Sequence, residues 1–287
     1  MTVHMIRSGS SAARIDTFGS QLRSLTANGV DYLWDAGEPW HYSAPILFPI
    51  ISGLPGDVLT HDGAKYPIPS HGFARRTEWE LLSATDGAAS FRLEWSPATL
   101  AAYPFEFQLT TTFALDHARL TLTHEVENAG DEPMPFLLGG HPAFRWPLPG
   151  ADAGAAHTVS WSSGGTTMRQ AVKGLRPGRI PSPALDGVVV LDRAQFAEDA
   201  MLFDDLTPHE VTYTAPGAAA VILRYEDFSR LGIWSKPDAG DFVCLEPWSG
   251  YPAPQGFDGD ILTLPEATVL APGQSTRFEY SIEIKGA

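Results

Sequence analysis

The sequence has one cysteine, Cys244, and few basic residues. A single cysteine excludes an intrachain disulfide. The 19 lysines and arginines are outnumbered by 34 aspartates and glutamates, so the formal net charge is −15. A surface of this sign repels phosphate backbones and anionic lipid head groups. We therefore expect neither nucleic acid nor a membrane surface as a partner.

Long apolar segments are also lacking. The N-terminal stretch MTVHMIRSGSSAARIDTFGS contains no apolar core of the kind found in secretory signals. No run approaches the roughly 20 apolar residues that a membrane-spanning helix needs, and the longest candidate, APILFPIISGLPG, is interrupted by proline and glycine. These features predict a cytoplasmic protein without a membrane-spanning segment.

Helical periodicity is scarce, and apolar and polar residues alternate instead. In FEFQLTTTFALD, from Phe105 to Asp116, every second side chain belongs to one apolar face, as in a half-buried strand. RLTLTHEVEN follows after a short turn, and its inward face should carry Leu120, Leu122, His124 and Val126. The two segments predict an antiparallel hairpin. FRLEWS and RFEYSIEIK show the same alternation.

Other segments support an all-β fold. GVVVLDR and AAAVILRYE are more continuously apolar, which predicts strands covered on both faces. RAQFAEDAMLF contains at most a helical turn or two, and HTVSW indicates another strand. The 27 glycines and 24 prolines separate these runs, and there is no internal repeat or long linker. We predict one large antiparallel β-sandwich, a single domain over residues 1–287.

Three segments carry candidate chemistry: SHGFARR, LLGGHPAFRWPL and FVCLEPWSG. They contain His71, His141 and Glu246. The histidines adjoin glycine or proline at predicted strand ends, whereas Glu246 follows an apolar strand and has apolar neighbours on both sides. Burial would raise the pKa of this carboxyl group and make it a base near neutral pH. Two imidazoles and one carboxylate suit proton transfer to and from oxygen.

These residues also allow a structural interpretation. Most of the nine histidines should lie at the surface or in turns, and Arg75 and Arg76 could form exposed ion pairs worth about 0–1 kcal/mol. Trp234 and Trp248 could be ordinary core. They also suit sugar binding, because the apolar face of a pyranose stacks on aromatic rings. Spacing alone does not decide between a catalytic and a structural site.

The order of segments resembles the aldose 1-epimerase (galactose mutarotase-like) family, especially its LacX-type branch. The matching text spans most of the chain: YLWDAGEPWHYSAPILFPIISGL, HDGAKYPIPSHGFAR, LLGGHPAFRWPL, LGIWSKPDAGDFVCLEPWSG and LAPGQSTRFEYSIEI. The resemblance implies a β-sandwich with a sugar cleft and interconversion of the anomers of a free aldose. It implies no cofactor and no metal. The partner is then a small sugar, and the chain would be a monomer or homodimer.

The resemblance also implies roles for single residues. Glu246 corresponds to the base that removes the proton of the C1 hydroxyl, and His141 to the acid that protonates the ring oxygen. These two groups are expected on opposite sides of the hemiacetal. His71 would orient the sugar near the ring oxygen, and Asp199 in FAEDAMLF would bind hydroxyl groups. Arg75, Trp234 and Trp248 complete the expected sugar-binding set.

The sequence departs from the family at two positions, and other functions stay open. Leu54 stands where arginine commonly follows the FPxxG element, and Arg76 where an acidic residue is common. A non-catalytic sugar-binding or sugar-sensing protein is one alternative. A metal enzyme with His71, His141 and Glu246 as ligands is another, since two histidines and a carboxylate form a known ligand set. A hexose-6-phosphate 1-epimerase is the third, with a phosphate held by Arg75, Arg76 and Arg145.

Overall fold

A computed structural model of the chain describes residues 2–171 and 174–286. Its strands, in chain order, are β1 (Val3–Ser8), β2 (Ser11–Asp16), β3 (Gln21–Ala27), β4 (Val30–Asp31), β5 (Ile46–Leu47), β6 (Val58–His61), β7 (Ala64–Pro67), β8 (Glu80–Ala84), β9 (Ala88–Glu94), β10 (Phe107–Asp116), β11 (Arg119–Asn128), β12 (Met134–Phe136), β13 (Gly139–Gly140), β14 (Ala143–Arg145), β15 (Thr158–Ser160), β16 (Thr167–Met168), β17 (Ile180–Pro181), β18 (Val188–Val190), β19 (Met201–Phe203), β20 (Glu210–Thr214), β21 (Ala220–Arg224), β22 (Arg230–Trp234), β23 (Phe242–Trp248), β24 (Thr268–Leu270) and β25 (Ser275–Lys285).

Helix is confined to short pieces. These are α1 (Pro97–Leu100) and the 3₁₀ turns Pro55–Asp57, Ala74–Arg76, Arg193–Phe196 and Ile261–Thr263. The turn at Arg193–Phe196 is the helical turn predicted from RAQFAEDAMLF, and β19 follows it. Within the described ranges, no helix has the length and apolar character to cross a membrane.

Two antiparallel sheets dominate the architecture. The larger has nine strands in the order β18-β15-β20-β21-β25-β11-β10-β9-β8. The second has the order β19-β22-β23-β13-β5, and β14 also pairs with β23. A four-stranded sheet, β1-β2-β3-β4, and three two-stranded ribbons complete the described strands. The predicted all-β, antiparallel fold class is confirmed.

The hairpin of β10 and β11 follows the alternation in its sequence. Phe107 pairs with Asn128 and Asp116 with Arg119, so the two strands are in register along their whole length. The alternate residues of each strand are buried. His124 is on the inward face, as predicted, and its Nδ1 lies 2.9 Å from Thr111 Oγ1 on the neighbouring strand. A cross-strand hydroxyl thus gives this buried imidazole one hydrogen-bond partner.

The two large sheets pack face to face. Phe48, which follows β5, lies with its ring 5.0 Å from that of Phe107 on β10. Gly140 on β13 faces Tyr280 on β25 so closely that a Cβ atom at Gly140 would lie 2.8 Å from the tyrosine ring. Glycine at this point therefore lets the strand that leads to His141 approach the nine-stranded sheet.

One strand prediction is wrong. GVVVLDR was expected to be covered on both faces, but β18 is the edge strand of the nine-stranded sheet. Val189 is fully buried, whereas Val190 is 55% exposed. AAAVILRYE does behave as predicted, because Val221, Ile222 and Leu223 in β21 are all buried. An apolar run of three valines does not reveal whether the sheet continues beyond it.

β23 is the strand that positions the candidate site. It pairs with β22, β13 and β14, and all seven of its residues are buried. The sequence had suggested that the strand ends before Glu246, but it continues through Trp248. Phe242, Cys244, Glu246 and Trp248 are alternate residues and therefore share one face of the sheet.

Candidate active site

Glu246 lies in the middle of the six-stranded sheet. Glu246 is only 1% exposed, and it is paired directly with Gly232 on the neighbouring strand β22. A Cβ atom at Gly232 would approach the Glu246 Cβ to 3.4 Å and Trp248 Cζ2 to 3.3 Å. The absence of a side chain at Gly232 therefore leaves room around the carboxyl group.

His141 contacts this carboxyl group from the break between β13 and β14. Its Nε2 lies 3.1 Å from Glu246 Oε2, and the residue is 5% exposed. The approach does not have hydrogen-bond geometry. Among the residues that the structure describes, Glu246 Oε2 and His141 Nδ1 have no hydrogen-bond partner. A ligand in the cavity would give both buried atoms the hydrogen-bond partners that such atoms usually have.

His71 lies in a turn with its backbone in the left-handed region, at φ 61°. The turn is held by the His71 N–H, which donates to Ser52 O at 2.7 Å, and by the Ser52 N–H, which donates to His71 Nδ1 at 3.1 Å. Because Nδ1 accepts, the ring proton of neutral His71 is on Nε2. The His71 and His141 rings are 5.7 Å apart. His71 Nε2 is thus a hydrogen-bond donor beside the acid–base candidates.

Arg75 is buried in the 3₁₀ turn that follows His71. Its Nη2 donates to Ser70 O at 2.9 Å, and its guanidinium carbon lies 4.7 Å from the centre of the Tyr42 ring. Its Nε has no hydrogen-bond partner in the described part of the chain. Burial lowers the pKa of Arg75 to about 10, so the side chain is still charged at neutral pH.

Asp199 and two tryptophans form further parts of the wall. Asp199 is exposed and has a left-handed backbone, φ 72°. Partial burial of its carboxyl group raises the pKa of Asp199, while hydrogen bonds from the Ala200 backbone and the Trp234 side chain oppose the rise. Trp248 is 3% exposed, and its indole N–H has no hydrogen-bond partner among the described residues.

All seven residues selected from the sequence line one cavity of about 210 Å³. They are His71, Arg75, His141, Asp199, Trp234, Glu246 and Trp248. The fold therefore brings together side chains from five separate parts of the chain. Which of them act in catalysis or binding stays a prediction.

The cavity contains five residues that the sequence did not single out: Trp40, Tyr42, Ser52, Ala171 and Ala200. Trp40 stacks on the His141 ring, with the ring centres 4.9 Å apart and the planes inclined by 32°. Trp40 and Tyr42, set among polar residues in the loop between β4 and β5, were a usable signal, because functional residues are often carried on loops. Ser52 and the two alanines gave no signal in the sequence.

The acid–base candidates have pKa values displaced in opposite directions. Burial, and secondarily Asp199, raises the pKa of Glu246 well above its usual range, while Trp248 and Arg75 act against the rise. Burial and the charge of Arg75 lower the pKa of His141 to about 3. Both shifts favour uncharged side chains. The uncharged pair holds one proton, on the carboxyl group.

The two departures from the family pattern lie outside this cavity. Leu54 is buried in the main core, and Arg76 is exposed.

The geometry changes the set of ligands that a metal enzyme would use. Donor atoms of His141, Cys244 and Glu246 come within 4.8 Å of one another, and His71 does not belong to that group in the described structure.

The chain belongs to the aldose 1-epimerase family, whose pattern it matches over residues 1–283. Protein LacX (plasmid) of Lactococcus lactis subsp. lactis is 29% identical over 283 residues, which cover 93% of this chain and 94% of that protein. Family membership supports an epimerase-type isomerase with a sugar substrate.

Solved structures agree. A galactose mutarotase related enzyme from Lactobacillus acidophilus has a TM-score of 0.92 at 26% identity, covering 99% of this chain and 98% of that one. A galactose mutarotase-like protein from Lactobacillus casei has a TM-score of 0.89 at 26% identity, covering 99% and 100%. The galactose mutarotase-like β-sandwich is thereby confirmed for this chain.

Proposed function

We propose that the protein is a mutarotase that interconverts the α and β anomers of a free aldose by acid–base ring opening and closure. One observation carries the proposal: Glu246 and His141 lie 3.1 Å apart at the cavity, each with a buried polar atom that has no partner among the described residues. A carboxyl group and an imidazole in contact can pass protons to and from two neighbouring oxygens.

The reaction follows from the proton balance of this pair. The step begins when the proton of the pair passes from Glu246 to His141 across their 3.1 Å contact. Glu246 then takes the proton of the C1 hydroxyl while His141 gives its proton to the ring oxygen, and the bond between C1 and the ring oxygen breaks. After rotation about the C1–C2 bond, the same transfers run in reverse and close the ring on the other face. The pair carries one proton throughout, so no proton has to come from solvent during a turnover.

The side-by-side placement differs from the expected placement on opposite sides of the hemiacetal. It fits the substrate, because the C1 hydroxyl oxygen and the ring oxygen are both bonded to C1. Adjacent protein groups can therefore serve adjacent oxygens. Each positioned proton-transfer group typically contributes about 10²–10⁴-fold to the rate.

The other cavity residues have binding roles in this proposal. His71 Nε2 donates toward the ring oxygen, and Arg75 donates to a hydroxyl group through its free Nε. Asp199 accepts from hydroxyl groups at the cavity mouth. Trp40 and Trp234, whose ring centres are 5.8 Å apart, offer apolar faces to the sugar ring.

The charges of the cavity favour an unphosphorylated sugar. Of the three arginines considered for a phosphate, Arg75 lines the cavity, whereas neither Arg76 nor Arg145 belongs to the described lining. Arg75 shares this cavity with two carboxyl groups, Glu246 and Asp199. A phosphate group would meet one cation and two acidic groups, which disfavours its binding.

A purely sugar-binding protein explains the pair less well. A buried carboxyl group without a hydrogen-bond partner costs stability. A protein that only binds neutral hydroxyl groups would not need this loss of stability, because an amide side chain at this position would accept and donate hydrogen bonds equally well. Proton transfer does need a group that ionises.

The test is anomeric exchange measured by NMR with a panel of free aldoses and their 6-phosphates, in the presence of a chelator. We expect faster exchange of at least one free aldose than in buffer alone. Glu226→Gln, an exposed change away from the cavity, should behave like the wild type. No acceleration with any sugar, or activity that requires an added divalent metal, would contradict the proposal.

A further inference from the structure

Three side chains with different donor atoms converge at and directly behind the wall of the cavity. Ligand atoms of His141, Cys244 and Glu246 all lie within 4.8 Å of one another, and all three residues are buried. This is the group of potential metal ligands that the described residues contain. Cys244 has no place in the proton-transfer scheme, so its position here is not explained by the proposed reaction.

The sheet itself creates this convergence. Cys244 and Glu246 are alternate residues of β23 and point to the same side. Cys244 pairs with Ala143 on β14, and His141 enters two residues before Ala143. The thiol also belongs to a small apolar cluster with Trp34, Ala143 and Phe242. Cys244 and Glu246 are thus held by paired backbone, and His141 is held between two short strands that both pair with β23.

Two of the three ligands have free coordinating atoms. Glu246 Oε2 is buried without a hydrogen-bond partner in the part of the chain that the structure describes, and His141 presents Nε2 to it at 3.1 Å without hydrogen-bond geometry. Both residues line the cavity, which gives an ion a path from solvent to the triad. Cys244 contributes a sulfur atom behind them, with no exposed surface.

We propose that His141, Cys244 and Glu246 bind a thiophilic divalent cation, and that this cation is Zn²⁺. Zinc is bound at about 2.0–2.3 Å by nitrogen, oxygen and thiolate sulfur in tetrahedral sites. The three ligand atoms therefore have to close by roughly 1 Å around the ion. Water from the cavity completes the fourth position.

Binding is an exchange of protons for the metal. The Cys244 thiol and the Glu246 carboxyl group lose their protons to solvent as the zinc–sulfur and zinc–oxygen bonds form, and no electron is transferred. Metal binding that releases protons strengthens as pH rises. Sulfur and imidazole ligands favour Zn²⁺, Co²⁺ and Cd²⁺ over Mg²⁺ and Ca²⁺, which prefer oxygen ligands.

The site has a consequence for the enzyme. A metal held by Glu246 and His141 occupies both proton-transfer groups, so it inhibits ring opening. This consequence rests on the proposed function, whereas the binding of the metal does not. The cation is therefore an inhibitor of the mutarotase, not its cofactor.

The experiment is calorimetry of ZnCl₂ binding to the full chain after treatment with a chelator. We expect one equivalent to bind, with no comparable binding of MgCl₂ or CaCl₂. Groups that merely support a metal ligand already change metal affinity by about 10–100-fold. Cys244→Ala, which removes a ligand, should therefore weaken Zn²⁺ binding by more than about tenfold.

The control variant is His41→Gln. His41 and Glu38 form an exposed pair 3.2 Å apart near the cavity, where zinc could bind adventitiously. One-equivalent binding should persist in His41→Gln. Replacing zinc with Co²⁺ adds a direct signature, because a sulfur-to-cobalt charge-transfer band should be present in the wild type and absent in Cys244→Ala. If the alanine variant fails to fold, Cys244→Ser replaces it in both measurements, because serine nearly preserves the volume of the cysteine side chain.

The inference is overturned if wild-type protein binds no zinc, if the cysteine variants bind it like wild type, or if His41→Gln abolishes binding. These zinc-binding measurements are made without sugar and are therefore independent of the proposed function. Zinc binding by a protein that fails to accelerate exchange of any aldose would refute the proposed function and leave the metal site standing.

Discussion

Glu246 and His141 lie 3.1 Å apart in the interior of the protein, and burial favours the uncharged form of both. These two shifts leave a single titratable proton on the pair, carried by Glu246. In the proposed reaction that proton is on His141 before ring opening and on Glu246 afterwards. In the free protein, as beside the open-chain sugar, Glu246 is therefore protonated and His141 is neutral.

The pH profile should reflect the shared proton. A second proton joins the pair only as pH approaches the His141 pKa of about 3, well below the usual glutamate value of about 4.3. We therefore expect kcat/KM not to fall as pH decreases from about 7 to about 5, with circular dichroism verifying the fold. A steep loss in that interval would show that the reaction needs Glu246 ionised beside a neutral His141.

The raised pKa of Glu246 should also be visible in stability. The folded protein keeps the Glu246 proton to higher pH than the unfolded chain does, so the free energy of unfolding decreases as pH rises from about 4.3 toward the folded pKa. Glu246→Gln removes this decrease. Urea unfolding should show the variant gaining stability relative to wild type as pH rises. A constant difference across the pH range would mean that the pKa of Glu246 is not raised by folding.

Arg75 should contribute binding rather than chemistry. Its charged side chain is buried with a free Nε at the cavity, and a hydrogen bond to a charged group is worth about 1.5–3 kcal/mol. Arg75→Ala should raise KM by about tenfold or more and change kcat much less. Arg76→Ala, at an exposed neighbour, is the matched control. An unchanged KM for every active sugar would remove Arg75 from the binding set.

Trp40 should position His141. The two rings are stacked 4.9 Å apart, and Trp40 is itself held by the Trp34 indole N–H, which donates to Trp40 O at 2.8 Å. Trp40→Ala should lower kcat by about tenfold or more, because small displacements of a catalytic group are costly. Trp40→Phe keeps an aromatic face and should recover most of the loss. Equal activity of both variants would show that the stacking does not position the imidazole.

Much of the fold could be predicted from local sequence. The β10–β11 hairpin follows from alternation, and the burial of His124 follows from its place in that pattern. The exposure of Val190 could not be predicted, since a strand of three valines looks the same at the edge of a sheet as at its centre. The position of a strand within a sheet depends on its pairing with distant strands, and the periodicity of one segment carries no information about that pairing.

The candidate site could be predicted in part for a similar reason. His71, His141 and Glu246 stand beside glycine or proline in short distinctive segments, and the family resemblance linked them. The contact between Glu246 and His141, and the presence of Cys244 beside them, depend on the register of β23 against its neighbours. Trp40 was missed because its loop has no periodic pattern, and its stacking on His141 exists only in three dimensions.

The most direct test of the central claim is to measure sugar affinity by calorimetry and anomeric exchange by NMR on Glu246→Gln, with His141→Asn and the double variant alongside. Glutamine keeps the size and hydrogen bonding of Glu246 but cannot take a proton. We predict near-normal affinity with kcat lowered by about 10²-fold or more, and a double variant little worse than either single one. If Glu246→Gln or His141→Asn keeps more than about a third of wild-type kcat, far above what loss of an acid–base group allows, the two residues are not the catalytic pair.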